Sequence, residues 1–367
     1  MKKIDSVKLA LKEKSYNVLI GKNLVKNNIK QILSILKGAK KIFIITDSFI
    51  KKNHLKKFIR LIPKSFIIET IILTPGETSK QLKCIENILN FLLKKRISRT
   101  DIIFGIGGGV IGDISGYVSS IILRGVKLIH FPTTLLAQVD SSIGGKTGVN
   151  SMYGKNLIGT FYQPKLVVCD INFLSTLPKR EMLAGYAEVI KYSILSDKNF
   201  FYWLKKNLNK ILSNDPNILQ KVIKKSVLIK SKFVVNDEKD LKNKRALLNL
   251  GHTYAHALEK SSKYSRDLLH GEAVSIGICM ACRLSSILGF LKINDLNEIE
   301  KIFLDIGLPT NLNSQKKLKL KKNNIIKNML YDKKILKGKL NLVLCKGIGK
   351  TFIYNKANIN SIKKSIY

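Results

Sequence analysis

Apolar and polar residues follow two different rhythms along the chain. From Lys41 to Phe131, short β-branched and aromatic runs recur between helical stretches. Lys41–Thr46 is one such run and ends at Asp47. Ser65–Leu73 is a second, followed by the turn Thr74-Pro75-Gly76-Glu77. Asp101–Ile106 and Val126–Phe131 are two more. Between them, Ser79–Lys95 carries Leu82, Ile85, Ile88, Leu89 and Leu92 at helical spacing. Strands alternating with helices predict a mainly parallel, Rossmann-like sheet. The rhythm changes near Leu177-Pro178. Beyond it the spacing predicts helices over Met182–Ile194, Phe200–Leu212, Ile218–Val235, Ala246–Glu259, Glu272–Leu288 and Asn297–Ile306, with a single strand at Leu340–Leu344. The expected fold is an α/β domain over residues 1–178 and a mainly α-helical domain over 179–367. No internal repeat or low-complexity linker separates them, so a packed junction with a ligand-sized cleft is expected.

Length agrees with two domains, since 367 residues exceed one ordinary core. No apolar run is long enough for a membrane helix, and Met1-Lys2-Lys3-Ile4-Asp5 lacks the apolar stretch of a secretory signal. Five scattered cysteines argue against a disulfide framework and for a reducing, cytoplasmic setting. Cys279-Met-Ala-Cys282 spells C-x-x-C but stands alone in an apolar helical run, so buried thiols are expected there. The net charge of +40 raises the question of nucleic acid. The lysines occur in every segment, however, and form no single arm or stripe with interleaved aromatics. A nucleic-acid partner is therefore not expected, whereas a small anionic substrate suits such a field.

Two clusters carry candidate chemistry in the first half. Gly107, Gly109 and Gly112 fit G-x-G-x-x-G between a predicted strand and a predicted helix, where bare backbone lets a pyrophosphate approach a helix N-terminus. The loop comes late in the chain, and no acidic residue closes a strand some twenty residues on; Asp47 is the alternative ribose partner. A tight turn without a ligand is the competing reading. The second cluster is Asp140-Ser-Ser-Ile-Gly-Gly-Lys146-Thr-Gly-Val-Asn150, then Gly154-Lys155-Asn156, where glycines flank lysines without Walker A spacing.

Histidine marks the second half. His252 and His256 stand one helical turn apart on one face, and His270 opens a further helix. Three of the chain's five histidines thus fall within nineteen residues. Thr253 stands where a zincin protease needs its glutamate. A metal site with an open position also wants a carboxylate. Glu188, in the apolar run Ala187-Glu-Val-Ile-Lys191, is the best candidate, because an unpaired buried carboxylate is costly.

These segments, taken in order, resemble 3-dehydroquinate synthases. The resemblance rests on Gly107–Asp113, Pro132–Lys146, Gly154–Gly159, Ala187–Tyr192, Leu247–His256 and Leu269–Glu272, and spans about Asp47 to Lys350. It implies a shikimate-pathway enzyme that converts 3-deoxy-D-arabino-heptulosonate 7-phosphate into 3-dehydroquinate and phosphate. It also implies NAD and a divalent metal, zinc or cobalt. By motif position Glu188, His252 and His270 would ligate the metal, and His256 would relay a proton for the C5 hydroxyl. Lys146, Lys191, Lys230, Arg245, Asn156 and Asn249 match positions that hold the substrate's phosphate and carboxylate. Arg124 matches an arginine that reaches the neighbouring subunit's phosphate site, which implies a homodimer; Lys333 or Lys334 would add a phosphate contact.

For NAD, Asp47, Gly76, Glu77 and Lys80 match the adenosine side. Gly109, Val110, Ile111, Gly112 and Asp113 match the pyrophosphate and ribose positions. Thr133, Thr134, Asp140, Lys146 and Lys155, with Phe173, Leu174, Ser175 and Thr176, complete the implied pocket. The segment Asp237–Arg245 is one residue longer than the family pattern, and Glu238 and Asp240 compete for the place of its pocket glutamate. The alternatives are another sugar-phosphate cyclase and a metal-dependent polyol dehydrogenase of related fold. Lys230 with Arg245 favours a substrate bearing a carboxylate.

Overall fold

The computed structural model describes residues 4–241, 244–318, 320–335 and 340–367. Two compact units emerge, Met1–Pro178 with Leu219–Ser231, and Lys179–Ile218 with Lys232–Tyr367. The second stretch of the first unit departs from a simple division at 178. It is the middle of a long helix whose Lys224 pairs with Asp5 at 2.5 Å and whose Gln220 donates to Asp5 at 2.9 Å.

The first unit is built on a seven-stranded sheet in the order β1-β2-β9-β6-β5-β3-β4. Its strands are β1 (Asp5–Leu9), β2 (Tyr16–Gly21), β3 (Lys41–Asp47), β4 (Ile67–Leu73), β5 (Ile102–Gly107), β6 (Lys127–Pro132) and β9 (Leu166–Asp170). Only the β1–β2 pair is antiparallel. A hairpin, β7 (Lys146–Ser151) and β8 (Gly154–Phe161), stands apart as a two-stranded sheet. The helices are α1 (Leu24–Ser34), the short α2 (Ser48–Ile50) and α3 (Lys56–Ile59), α4 (Leu82–Lys94) and α5 (Gly109–Ile121). Both faces of the sheet are covered, which is why its strands read as continuous apolar runs. Ile42 and Ile44 join Phe104 and Phe131 in one core, while Phe43 and Ile45 join Ile103 and Leu128 in the other. Because β3, β5, β6 and β9 run parallel, their C-terminal ends bring Asp47, Gly107, Pro132 and Asp170 to one edge of the sheet, the edge where open α/β sheets take ligands.

The second unit is helical, with α6 (Lys179–Ser196), α7 (Lys198–Lys206), α8 (Leu208–Leu212), both ends of α9 (Pro216–Asn236), α10 (His252–Ser261), α11 (His270–Ile287), α12 (Ile293–Ile306), α13 (Lys322–Ile335) and α14 (Ile359–Ser365). A hairpin of β10 (Leu342–Gly347) and β11 (Lys350–Tyr354) completes it. α6 and α11 are buried almost all round, as expected of core helices. The helix expected over Ala246–Glu259 is broken. Arg245–Asn249 forms a tight 3-10 turn, Gly251 takes φ +77°, and α10 starts afresh at His252. Phe200–Leu212 likewise splits at Asn207 into α7 and α8. No described helix is long and apolar enough to cross a membrane. Cys279 and Cys282 are buried free thiols.

Candidate active site

Three helices of the second unit converge on one carboxylate. Glu188, on α6, is fully buried, and its Oε2 pairs with the buried Lys191 three residues on. Its Oε1 faces His252 Nε2 at 3.5 Å and His270 Nε2 at 3.9 Å. Glycines make this approach possible. A β-carbon on Gly271 would overlap the carbonyl oxygen of Ala184, so α11 lies directly on α6. A β-carbon on Gly251 would come within 2.5 Å of the Ile278 amide, so α10 is equally tight on α11. The start of α11 is further tied down by a fork. Arg180 donates to both oxygens of Glu272 at 2.7 Å, and Glu272 accepts from the Leu269 amide at 2.8 Å.

The donor set fits a divalent cation. His252 Nδ1 lies 3.2 Å from the carbonyl of Leu250, which can only accept, so the ring proton sits on Nδ1 and Nε2 carries a lone pair. Burial, then the charge of Lys191, then the neighbouring imidazoles hold His252 well below the usual histidine range, so the ring is neutral. His270 Nδ1 lies 3.4 Å from Glu259 Oε1. The Nε2 atoms of both imidazoles thus face one carboxylate oxygen, the arrangement a shared cation would complete. One ligand atom from each of Glu188, His252 and His270 falls within 4.8 Å of the others, and among the described residues this is the one group of histidine, cysteine and acidic side chains close enough to hold a metal. The set of two histidines and one carboxylate suits zinc or a similar ion with an open position. The His256 ring stands 5.5 Å from the His252 ring, one turn along α10.

In the first unit the glycine loop caps β5 and opens α5. Gly108 precedes the helix as its N-cap and, having no side chain, offers the first-turn amides no cap. A β-carbon on Gly107 would come within 2.5 Å of Ile111, and one on Gly108 or Gly109 would press Thr134 or Ser141 at 3.1 Å. Bare backbone is therefore required, and the uncapped amides suit a pyrophosphate. The Thr133 amide donates to the Gly107 carbonyl at 3.0 Å, and Thr134 Oγ1 accepts from the Ala137 amide at 3.1 Å. His130 lines a small pocket behind the loop with Gly105 and Gly112, and burial pushes its imidazole down to about 4.

Several sequence-predicted residues meet here as ion pairs. The buried Lys80 donates to Asp113 at 2.6 Å and also to Asn156. Burial raises Asp113, and Lys80 partly offsets that rise. Lys230 donates to the Asp140 carboxylate at 2.6 Å and to its carbonyl at 2.7 Å. Glu77 accepts from Asn150 at 2.8 Å and faces Lys155 at 3.9 Å; Gly76 before it takes φ +106°. Asp47 caps α2 through the Ile50 amide at 2.9 Å, and burial raises its carboxyl. Phe173, Leu174, Ser175 and Thr176 form a 3-10 turn after β9; Phe173 meets the His54 ring edge-on at 5.2 Å, and Thr176 shares a 2.6 Å hydrogen bond with His54. Val110, Ile111 and Gly112 lie in the first turns of α5, Lys146 opens β7, and Arg124 is exposed beyond α5.

In the second unit Arg245 is buried and donates to the Glu238 carbonyl at 3.0 Å, while Asp237 accepts from the Leu241 and Lys244 amides. Asn249 ends the 3-10 turn before α10. The side chains of Lys333 and Lys334 lie outside the described residues. Sequence reading missed Glu259, although it lies seven residues from His252 and so on the same face of α10. It also missed Arg180 and His54, whose partners Glu272 and Thr176 are distant in sequence.

Comparison with known proteins places this geometry. Residues 70–184 match the model of the 3-dehydroquinate synthase N-terminal family, and residues 185–335 match that of its C-terminal family. A 3-dehydroquinate synthase of Pelagibacter ubique (strain HTCC1062) is 42% identical over 98% of this chain and 97% of that relative. One from Buchnera aphidicola subsp. Cinara cedri (strain Cc) is 44% identical over 99% and 96%. In fold, the chain is similar to a 2-deoxy-scyllo-inosose synthase solved with carbaglucose-6-phosphate, NAD+ and Co2+, with a TM-score of 0.88, 24% identity and 98% of each chain covered. The chain belongs to the 3-dehydroquinate synthase family.

Proposed function

We propose that this chain is a 3-dehydroquinate synthase, a carbon–oxygen lyase that closes the heptulosonate 7-phosphate into 3-dehydroquinate and releases phosphate. One observation carries the reading. The converging ligand atoms of His252, His270 and Glu188 occur in a chain more than 40% identical, over nearly its whole length, to proteins of that name. When bound, NAD+ supplies reversible hydride acceptance at C5 of the substrate, and the divalent ion supplies Lewis acidity at its hydroxyls.

The chain's own residues do the rest. Glu188, His252 and His270 hold the ion. His256, beside His252 and not among the converging atoms, takes and returns the proton of the C5 hydroxyl. Lys146, Lys191, Lys230 and Arg245, with Asn156 and Asn249, bind phosphate and carboxylate through charge-assisted hydrogen bonds. The glycine loop binds the pyrophosphate of NAD, Asp47, Glu77 and Lys80 the adenosine side, and Asp113, Thr133, Thr134, Asp140, Lys155 and the 173–176 turn the remainder. Arg124 follows Leu123 at φ +49° and itself takes φ +63°, a left-handed turn that projects it outward and suits service to a second subunit in a homodimer.

A phosphate-release assay tests the reading. Release from the heptulosonate 7-phosphate should need both NAD+ and metal, and no free NADH should accumulate. Release from sedoheptulose 7-phosphate with none from the heptulosonate would replace the reading by a different cyclase. NADH accumulating with turnover would replace it by a polyol dehydrogenase.

A further inference from the structure

The two imidazoles of the metal cluster are not held alike. His252 presents Nδ1 to a neutral carbonyl, that of Leu250. His270 presents Nδ1 to a carboxylate, Glu259 Oε1, at 3.4 Å. Glu259 is 4% exposed, so this acid is held inside the helical unit. It lies on α10, the helix that carries His252 and His256, whereas His270 opens α11. The contact therefore ties a residue at the first turn of one helix to the third turn of another.

We propose that Glu259 is a positioning residue for the metal centre. Its carboxylate accepts the Nδ1 proton of His270, which fixes the ring in the tautomer whose Nε2 lone pair is free for the ion. A carboxylate on the far nitrogen also makes Nε2 a stronger donor than the carbonyl behind His252 can. Outer-shell partners of this kind orient the ring and change metal affinity by about 10- to 100-fold. His270 needs the help more than His252. It is 32% exposed against 12%, so packing alone fixes its ring less well. The inference rests on the reading of Glu188, His252 and His270 as metal ligands.

The test is a chelator competition on the full chain, stripped of metal and titrated with Co2+. Wild type, Glu259→Gln, Glu259→Ala and His270→Ala are compared, with the visible bands of bound Co2+ as a second readout. Glu259→Gln keeps an acceptor but loses the charge, and should weaken Co2+ about 10-fold with shifted bands. Glu259→Ala should weaken it up to about 100-fold, and His270→Ala should lose it. Thermal unfolding of the metal-free forms removes the structural alternative. If Glu259→Gln melts like wild type without metal yet binds Co2+ more weakly, the role is at the metal. Unchanged affinity and bands in Glu259→Gln, with metal lost in His270→Ala, overturn the proposal and leave the ligand reading standing. Metal bound equally by wild type and His270→Ala overturns the ligand reading, and the proposal with it.

Discussion

The candidate metal cluster of one unit and the glycine-loop region of the other solve opposite problems. In the helical unit, donors of like character are forced together. Glu188 and two imidazole nitrogens face one another from α6, α10 and α11, held by helix contacts that only glycine permits. In the α/β unit, charges of unlike character have already met. Lys80 holds Asp113 and Asn156, Lys230 holds Asp140, and Glu77 stands by Lys155. In the first arrangement Lys191 takes only Oε2 of Glu188, and Oε1 is left facing two imidazole nitrogens, so that side is arranged for a further cation. The second is satisfied as it stands, so a phosphate or ribose must exchange partners with an existing pair. The metal half should therefore respond to substitution almost all or none, and the nucleotide half by degrees.

The largest expected effects lie at the donors. His252→Ala, His270→Ala and Glu188→Ala should each abolish metal retention, measured by elemental analysis, and phosphate release with it. His256→Ala should keep the metal and slow release by roughly 10²- to 10⁴-fold, the usual worth of a proton-transfer group. Equal metal loss in His256→Ala would move that residue into the ligand set and break the contrast between holding and relaying.

Next come the contacts that bring the donors together. Gly271→Ala places a methyl group against the Ala184 carbonyl, backbone that cannot swing aside. It should cost about 3 kcal/mol, the upper end for overpacking, and lower metal affinity as well. Denaturant unfolding and metal titration check both. A full-affinity metal site in a destabilised Gly271→Ala protein would show that the donors do not depend on this helix contact.

What the sequence disclosed follows the same division. The strand runs at Lys41–Thr46 and Asp101–Ile106, the glycine loop and the His252/His256 spacing are local patterns, and each was legible. Unread features depend on partners far along the chain. β1 is too short to declare itself: its five residues alternate, with Ser6 and Lys8 out and Val7 and Leu9 buried, but offer only two apolar positions. The Lys146–Phe161 stretch is so rich in glycine and polar residues that it reads as a loop, yet it forms the β7–β8 hairpin. The break before α10 is marked only by Gly251, whose positive φ is set by its packing on Ile278. Lys80 and Asp113 are 33 residues apart, and nothing local pairs them.

That pair offers the third and more graded test. Lys80→Met leaves Asp113 without its cation. Removing one partner of a fully buried pair costs roughly 3–5 kcal/mol. Asp113 keeps 19% exposure, so about 2 kcal/mol is expected here. The sign with pH is fixed. Burial already raises the Asp113 carboxyl in the folded state, and without Lys80 it rises further. An acid with a raised folded pKa destabilises above that pKa and is relieved as the pH falls through it. The gap between Lys80→Met and wild type should therefore narrow on acidification. A gap that widens would mean that Asp113 is held ionised by something other than Lys80.

The smallest effect belongs to Glu77→Gln. Glu77 is 40% exposed and 3.9 Å from Lys155, a geometry in which screened ion pairs contribute about 0.5 kcal/mol or less to stability. The Asn150 side chain can still donate to the amide oxygen of glutamine. Unfolding should thus barely change, and metal affinity not at all. If Glu77 holds the adenosine side of NAD, the KM for NAD+ should rise while kcat at saturating NAD+ stays near wild type, because only ground-state binding is lost. A fall in kcat at unchanged KM would assign Glu77 to the chemistry and erase the distinction between a half that binds by exchange and a half that acts by preorganised donors.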